Sequence, residues 1–350
     1  ASAYEQHGVP YYPKAVVAVP FTPVPGTRLL ARDEPTRQLL VQSLCQWCED
    51  EGISSLHVLF ASDDDVLTSA RQGLMLRHTV QFHWQNGACA PATGAPSQPP
   101  EGHALPAPDT RIPVPFAEGA TAAAAPADEA IHGYRDFDDF LAHLSQEKRK
   151  KIRQERRRVV EAGVTFRWAL GADISSSDWD FFYRCYERTY LEHGNPPYLT
   201  RAFFQQMADR MPEHWLLFIA EREGRQIASS LIAIDACRTS ATDINHSKNP
   251  PRTAYGRYWG ALERVDCLHF EACYYQPLAW CIAHGVQRFE GGAQGEHKMA
   301  RALLPVQATS LHWLAHPAFA DAVERFLARE GAGVEDYLDH LQARSPFRTA

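Results

Sequence analysis

The segment Gly291–Lys298 consists of small and polar residues whose types suggest chemistry. It reads GGAQGEHK and follows an apolar stretch that predicts a strand. Glycines let backbone N–H groups turn toward an anion or oxyanion, and a lysine adds a point charge. Gln294 and Gly295 are therefore candidate donor- or substrate-binding residues, and Lys298 is a candidate catalytic residue. Taken alone, the motif favours a plain turn between strands.

One carboxylate lies among aromatic residues, which is where a general base can arise. Glu271 occurs in the segment HFEACYYQ, and an aromatic environment can raise a carboxyl pKa toward neutrality. An acid in the first turn of a helix, stabilised by the helix dipole, is an equally good explanation of Glu271. Tyr258, in the preceding segment YGRYWG, is the other candidate catalytic residue, although aromatic residues more often belong to a core.

Positive charge is concentrated in one short segment. The eleven positions from Lys148 to Arg158 hold eight Lys or Arg and one Glu, a charge of +7 in a chain of net charge −7. Because eight bases so close together repel one another, an anionic partner is slightly favoured over a solvated helix face. Arg149 and Arg153 share a helical face, so they are candidate contacts to the phosphates of such a partner.

Composition and length are those of a globular protein with about two domains, at 350 residues and 45% hydrophobic content. No apolar run approaches the roughly 20 residues that a membrane span needs. The start, ASAYEQHGVP, shows no secretory signal, so we expect a cytoplasmic protein. Cys45 and Cys48 form a CxxC but lack the second ligand pair of a zinc site. We predict neither a bound metal nor a bound cofactor.

The elements that would position these residues fall into two ordered regions. Residues 1–86 show strand, helix, strand, helix, strand, an order typical of parallel pairing, and we expect further strands before Ala1. Residues 87–132 are rich in Ala, Pro and Gly without periodicity, so we expect a disordered insertion. From residue 133 the patterns predict a helix ending at Gly163, a strand, two helices and a hairpin turning at Glu223–Gly224. A strand, a helix bent or started by Pro277, two strands and two terminal helices follow.

This order resembles the GNAT N-acyltransferase fold, and more narrowly the Fem-like family of tandem GNAT domains. The segments that carry the resemblance are LSQEKRKKIRQERRRVVEAGV, DFFYRCYERTYLEHGNPPYLTRAFF, YGRYWGALERVDCLHFEACYYQ, RFEGGAQGEHKMARALLP and SLHWLAHP, with YYPKAVVAVPFTPVPGTRLL and QFHWQN nearer the start. They are similar to a bacterial branch described as predicted N-acyltransferases. The resemblance implies a mixed α/β chain with two GNAT-like domains, residues 1–86 and 133–350, the first truncated at its N-terminus.

The resemblance also implies where ligands bind. In a GNAT-like fold the central strand and the next helix meet the cleft, which is where Tyr258 and Glu271 would lie. The place of the pyrophosphate loop reads GALERVDCLHFEA. It is not Gly-rich, so both acyl-CoA and aminoacyl-tRNA remain open as donors. Gly26 and Arg28, in VPGTR, give the first domain a weak partial likeness to such a loop.

The implied function is transfer of an acyl or aminoacyl group from a polyanionic donor to the amine of a small molecule or a peptide. The alternative is a catalytically inactive GNAT-like module that binds RNA or another polyanion through Lys148–Arg158. A hydrolase that uses Cys273 is a third and weaker hypothesis, because spacing alone does not bring this cysteine to His269 or His297.

Overall fold

The computed structural model describes residues 2–87, 111–112, 133–235, 252–292 and 295–348. Its helices are α1 Ser2–Gln6, α2 Glu34–Asp50, α3 Asp63–Arg71, α4 Phe137–His143, α5 Gln146–Glu161, α6 Ser176–Glu192, α7 Arg201–Arg210, α8 Leu268–Phe270, α9 Gln276–Ala283 and α10 Pro317–Ala343. Its strands are β1 Ala15–Val17, β2 Ser55–Ala61, β3 Met75–Gln85, β4 Arg111–Ile112, β5 Val164–Leu170, β6 Trp215–Arg222, β7 Arg225–Ile234, β8 Thr253–Ala261, β9 Arg288–Glu290 and β10 Leu304–Leu314.

The chain forms two compact units that are not contiguous in sequence. The first comprises Ala1–Phe82, Gly292–Glu296 and Leu304–Ser345, and the second His83–Gly291, His297–Leu303 and Pro346–Ala350. The prediction that 133–350 forms one domain therefore differs from the structure, which places Leu304–Ser345 in the first unit. The predicted insertion at 87–132 lies outside the described residues, apart from Gly87 and the two residues of β4.

The sheet of the first unit has the strand order β1-β2-β10-β3. β1 pairs with β2 in parallel, as the sequence predicted, whereas β10 pairs with β2 in antiparallel fashion. The strand that separates β2 from β3 thus comes from the C-terminal part of the sequence. The sequence did not predict this position for β10, because pairing between strands so distant in sequence leaves no local signal. The expectation of further strands before Ala1 stays a prediction. The core of this unit packs around Leu29, Val58 and Leu311, each no more than 1% exposed.

The second unit has the element order that the resemblance implied. β5, β6, β7 and β8 pair in antiparallel order, and β8 pairs with β9 in parallel. Helices α6 and α7 connect β5 to β6, and the hairpin between β6 and β7 turns at Glu223 and Gly224, both at positive φ. The chain therefore has the predicted mixed α/β fold with GNAT-like order in this unit.

Four predicted helices differ from those observed. The helix predicted to end at Gly163 is broken, because Leu144 is extended and Ser145 precedes a new helix, α5. The two predicted terminal helices are one helix, α10, which continues through Gly331 and Gly333. A π-helical turn, Glu271–Tyr275, joins α8 to α9 just before Pro277, because proline cannot donate to the carbonyl of Cys273.

Different helices cover the two faces of the second unit's sheet. The α6 and α7 face holds an aromatic core that includes Phe182, Tyr186 and Phe204. On the opposite face Val159 of α5 and Ala272 of the π-turn pack together. Gly260 of β8 permits close contact with α6, since a Cβ there would lie 2.0 Å from the Cys185 carbonyl oxygen.

Candidate active site

The central strands of the second unit, β8 and β9, pair over only three residues, from Thr253↔Arg288 to Tyr255↔Glu290. β8 then continues to Ala261, and the register with β7 shifts at a β-bulge that contains Arg257. Beyond Tyr255 no strand within the described ranges follows β8 on the β9 side. The two strands therefore diverge at the carboxyl end of β9, the end at which open α/β sheets bind ligands.

Lys298 lies close to this divergence and is 6% exposed. Its ammonium donates to the carbonyl oxygen of Gly291, which follows β9, at 2.5 Å. Burial lowers the pKa of Lys298 to about 8, while the nearby Cys273 thiol acts in the opposite direction. A cation of this kind can stabilise a developing oxyanion and can also give up its proton near neutral pH.

Two glycines of the GGAQGEHK segment adopt backbone conformations that favour glycine. Gly292 and Gly295 have φ of 76° and 96°, values that other residues rarely adopt. Gln294, the remaining candidate in this segment, lies outside the described residues.

Glu271 begins the π-turn and is 1% exposed. The Nε of Arg156 donates to its two carboxylate oxygens at 3.2 and 3.3 Å, and the Nε2 of Gln276 donates to Oε1 at 2.8 Å. Burial raises the pKa of Glu271, although Arg156 opposes the shift. The predicted role as general base stays a prediction, and the carboxylate is engaged in an ion pair.

A second buried ion pair lies beside the first, and sequence reasoning missed it. Nη2 of Arg301 donates to both oxygens of Glu155 at 2.9 Å, and the Tyr275 hydroxyl donates to Oε2 of Glu155. The Arg301 guanidinium lies 3.5 Å from the centre of the Phe270 ring. Glu155 is the one acid in the basic run. Its neighbours in sequence are charged residues typical of an exposed helix face, so the pattern did not indicate that Glu155 is buried.

These pairs bring Glu271 and Lys298 into one region. Glu155 and Arg156 are adjacent on α5, and Arg301 and Lys298 lie on one short 3₁₀ helix, Glu296–Arg301. Lys298 is also close enough to Cys273 of the π-turn for their charges to interact. The structure thus assembles two of the three predicted catalytic residues around the π-turn.

Tyr258, the third predicted catalytic residue, lies on the other side of the sheet. Its ring packs against Phe182 and Phe204 on the α6 and α7 face. Burial raises its pKa to about 12, so its hydroxyl remains protonated at neutral pH. The structure therefore does not bring Tyr258 to the π-turn.

Cys273 is not prepared to act as a nucleophile. Burial raises the pKa of its thiol, and only the charge of Lys298 opposes this shift. Since the thiolate is the reactive form of cysteine, the structure argues against the hydrolase hypothesis. His297 lies nearby, with its Nε2 3.5 Å from the Tyr274 hydroxyl.

The predicted donor-binding arginines have different environments. Arg153 of α5 is exposed and lies 3.7 Å from Asp138, whereas Arg149 is half-buried and its pKa is lowered by burial and by the nearby Arg348 and Arg153. In the first unit Gly26 donates to the Phe60 carbonyl. Arg28 donates to the carbonyls of Leu59 and Val24, so its guanidinium holds the local loop.

Among the described residues no cluster of three or more His, Cys, Asp or Glu side chains could hold a metal ion. Within the same residues no helix is both long and apolar enough to cross a membrane.

A family model matches most of the sequence. The FemAB-like model, described as peptidoglycan biosynthesis/recognition, matches residues 1–91 and 129–349. No curated protein matches the sequence.

Several solved structures are similar at low identity. L-PGS from Bacillus licheniformis is 9% identical with a TM-score of 0.47, over 83% of this chain and 78% of that chain. FemX is 9% identical with a TM-score of 0.46, over 88% and 85%. A tandem GNAT protein from the clavulanic acid biosynthesis pathway is 11% identical with a TM-score of 0.39, over 85% and 77%.

Proposed function

This chain belongs to the FemAB-like family of peptidoglycan biosynthesis and recognition, and on that premise we propose that it is a transferase of the acyltransferase type. The reaction moves an acyl or aminoacyl group from an activated, polyanionic carrier to an amine. The family description favours an amine in a peptidoglycan precursor or a related peptide as the acceptor.

The observation that carries the proposal is the position of Lys298 at the divergence of β8 and β9. A reacting carbonyl placed there would have a cation near the oxygen that becomes negative in the tetrahedral intermediate. With a pKa of about 8, the Lys298 ammonium can also donate a proton to the departing oxygen or sulfur of the carrier. Lys298 therefore needs its proton, and we expect activity to fall as the pH rises above about 8.

Glu271 has a supporting part in this proposal. Its carboxylate is ion-paired with Arg156 and hydrogen-bonded to Gln276 beneath the π-turn. We propose that it fixes the π-turn, and with it the surroundings of Lys298. As a positioning residue it does not itself need to exchange a proton in each turnover.

The donor remains a choice between acyl-CoA and aminoacyl-tRNA. Both carriers carry several phosphates, and α5 exposes Lys150, Lys151 and Arg158 to solvent. These bases support a polyanionic carrier of either kind.

The decisive experiment offers acyl-CoA thioesters and aminoacyl-tRNAs to the protein together with peptidoglycan-derived peptides and simple amines. Mass spectrometry detects the new amide. We expect Lys298→Ala to lower kcat by about 100-fold. Lys298→Arg should retain more activity and lose the fall above pH 8, because arginine stays protonated.

Arg188→Ala, an exposed change on α6, is the matched control and should keep the activity of the unmodified protein. Amide formation by Lys298→Ala at the normal rate would remove Lys298 from the site. Absence of amide with every donor would contradict the transferase proposal and favour the polyanion-binding module.

A further inference from the structure

A row of three side chains crosses the sheet of the second unit where β8 and β9 diverge. Glu290 of β9 lies directly opposite His83 of β3 and directly opposite Tyr255 of β8. Residues opposite one another on neighbouring strands share a face of the sheet. Tyr255 lies opposite Ala233, which packs against the α6 and α7 core, so the row faces these helices.

Glu290 is buried without all of its hydrogen bonds. Its side chain is 4% exposed. Nη2 of Arg288 lies 3.1 Å from Oε1 of Glu290, and Nε2 of His83 lies 3.9 Å from Oε2. Oε2 has no hydrogen-bond partner among the residues that the structure describes. A buried oxygen of this kind costs stability unless a ligand or water donates to it, so its retention points to a ligand that carries a donor.

The groups around Glu290 favour a cationic ligand on this face. Asp235, at the end of β7, accepts from the Thr253 amide at 2.9 Å and from the Tyr255 hydroxyl at 3.3 Å. The negative charge of Asp235 raises the pKa of Glu290. Burial lowers the pKa of His83 to about 4, so the imidazole adds no positive charge at neutral pH. Among the described residues, Arg288 pairs with Oε1 of Glu290, and the charge of Lys298 lowers the pKa of His83.

We propose that the acceptor amine binds as an ammonium ion at Oε2 of Glu290, and that this carboxylate takes its first proton. The inference rests on the proposed transferase function and names the acceptor side of that site. The resulting lone pair attacks the carbonyl carbon, a C–N bond forms, and the bond from carbon to the carrier's oxygen or sulfur breaks. In this proposal the carbonyl lies in the gap between β8 and β9, with the amine on the α6 and α7 face and Lys298 on the side of the π-turn. Lys298 protonates the leaving atom and regains a proton as the tetrahedral intermediate loses its second N–H proton. Glu290 returns its proton to solvent.

The protonation state of Glu290 agrees with this task. Burial raises its pKa to about 7, with Asp235 acting in the same direction and Arg288 in the opposite one. A carboxylate that must be ionised to accept a proton gives a rate that rises with pH through its pKa. We therefore expect kcat/KM to rise through about pH 7.

Glu290→Gln keeps the shape of the side chain and removes the base. We expect it to lower kcat/KM by about 100-fold or more and to abolish the rise through pH 7. Glu290→Asp should keep a rise with pH at a lower rate. Glu192→Gln, an exposed change on α6, is the matched control and should keep both the rate and the profile. A Glu290→Gln variant with normal kcat/KM and an unchanged profile would overturn the proposal.

A binding measurement separates this inference from the transferase proposal. Butylamine, a simple alkylammonium ion, should raise the thermal midpoint of the unmodified protein more at pH 8 than at pH 6. Glu290→Gln should show no such pH-dependent shift. An equal shift in both proteins, or none in the unmodified protein, would overturn the ammonium site even if amide transfer is found. The expected shift without any amide transfer would support the site and contradict the proposed reaction.

Discussion

Some residues of the basic run are buried and others are exposed to solvent. Glu155 and Arg156 turn into the second unit and form ion pairs with Arg301 and Glu271, whereas Lys150 and Lys151 remain exposed. Residue type together with the family resemblance selected Lys298 and Glu271 as candidates. It did not select Glu155, Arg301 or Glu290. Arg301 and Glu155 are 146 positions apart, and no local pattern encodes a pair so distant.

At the residue scale, the Glu155–Arg301 pair provides a stability test. Glu155→Gln leaves the buried Arg301 guanidinium without its counter-charge, so we expect the free energy of unfolding to fall by about 3 kcal/mol. Chemical denaturation measures the change. Glu147→Gln is the control, because Glu147 pairs with Lys148 on the same helix but is 80% exposed, and it should cost less than about 0.5 kcal/mol. Equal losses in the two variants would show that the buried pair contributes no more than a surface pair.

Elements with strong local signals were predictable. Glu223 and Gly224 form the turn of the β6–β7 hairpin, as their types indicated. The break before α5 was not predictable, because apolar residues continue at helical spacing across Ser145. The π-turn also escaped prediction, since Pro277 indicates only that the helix is perturbed and not how the lost hydrogen bond is accommodated.

At the element scale, α5 should act as a polyanion-binding surface. Arg149→Glu and Arg153→Glu should weaken binding of tRNA, used as the probe, most strongly at low salt. Loss of each phosphate contact should reduce the slope of log K against log salt by about 0.7 to 0.9. Filter binding at several salt concentrations measures this slope. Arg188→Glu on α6 is the control and should leave it unchanged, whereas an equal effect at Arg188 would contradict a specific surface on α5.

At the scale of the whole molecule, the two units have separate apolar cores. Leu311 of β10 is fully buried with Leu29 and Val58 in the first unit, and Leu231 of β7 is fully buried with Phe182 and Phe204 in the second. Sequence reasoning predicted two domains correctly in number. It placed β10 and α10 in the wrong one, because only long-range pairing with β2 identifies their unit.

Matched core substitutions test this division. Leu311→Ala and Leu231→Ala should each lower stability by about 2 to 5 kcal/mol. Hydrogen exchange should accelerate mainly in β2 and α3 for Leu311→Ala, and mainly in β6 and β8 for Leu231→Ala. Uniform acceleration along the whole chain in both variants would show a single cooperative unit instead of two.

The position of β10 between β2 and β3 has a consequence for biosynthesis. After the ribosome has synthesised β3, which ends at Gln85, it must add every residue up to Leu304 before β10 begins. At about 5 to 20 residues per second, that interval lasts on the order of 10 to 45 s. During this time the nascent β2 and β3 have incomplete edges that other chains could join. Pairing of these edges with other chains during synthesis can therefore lower the yield of the folded protein.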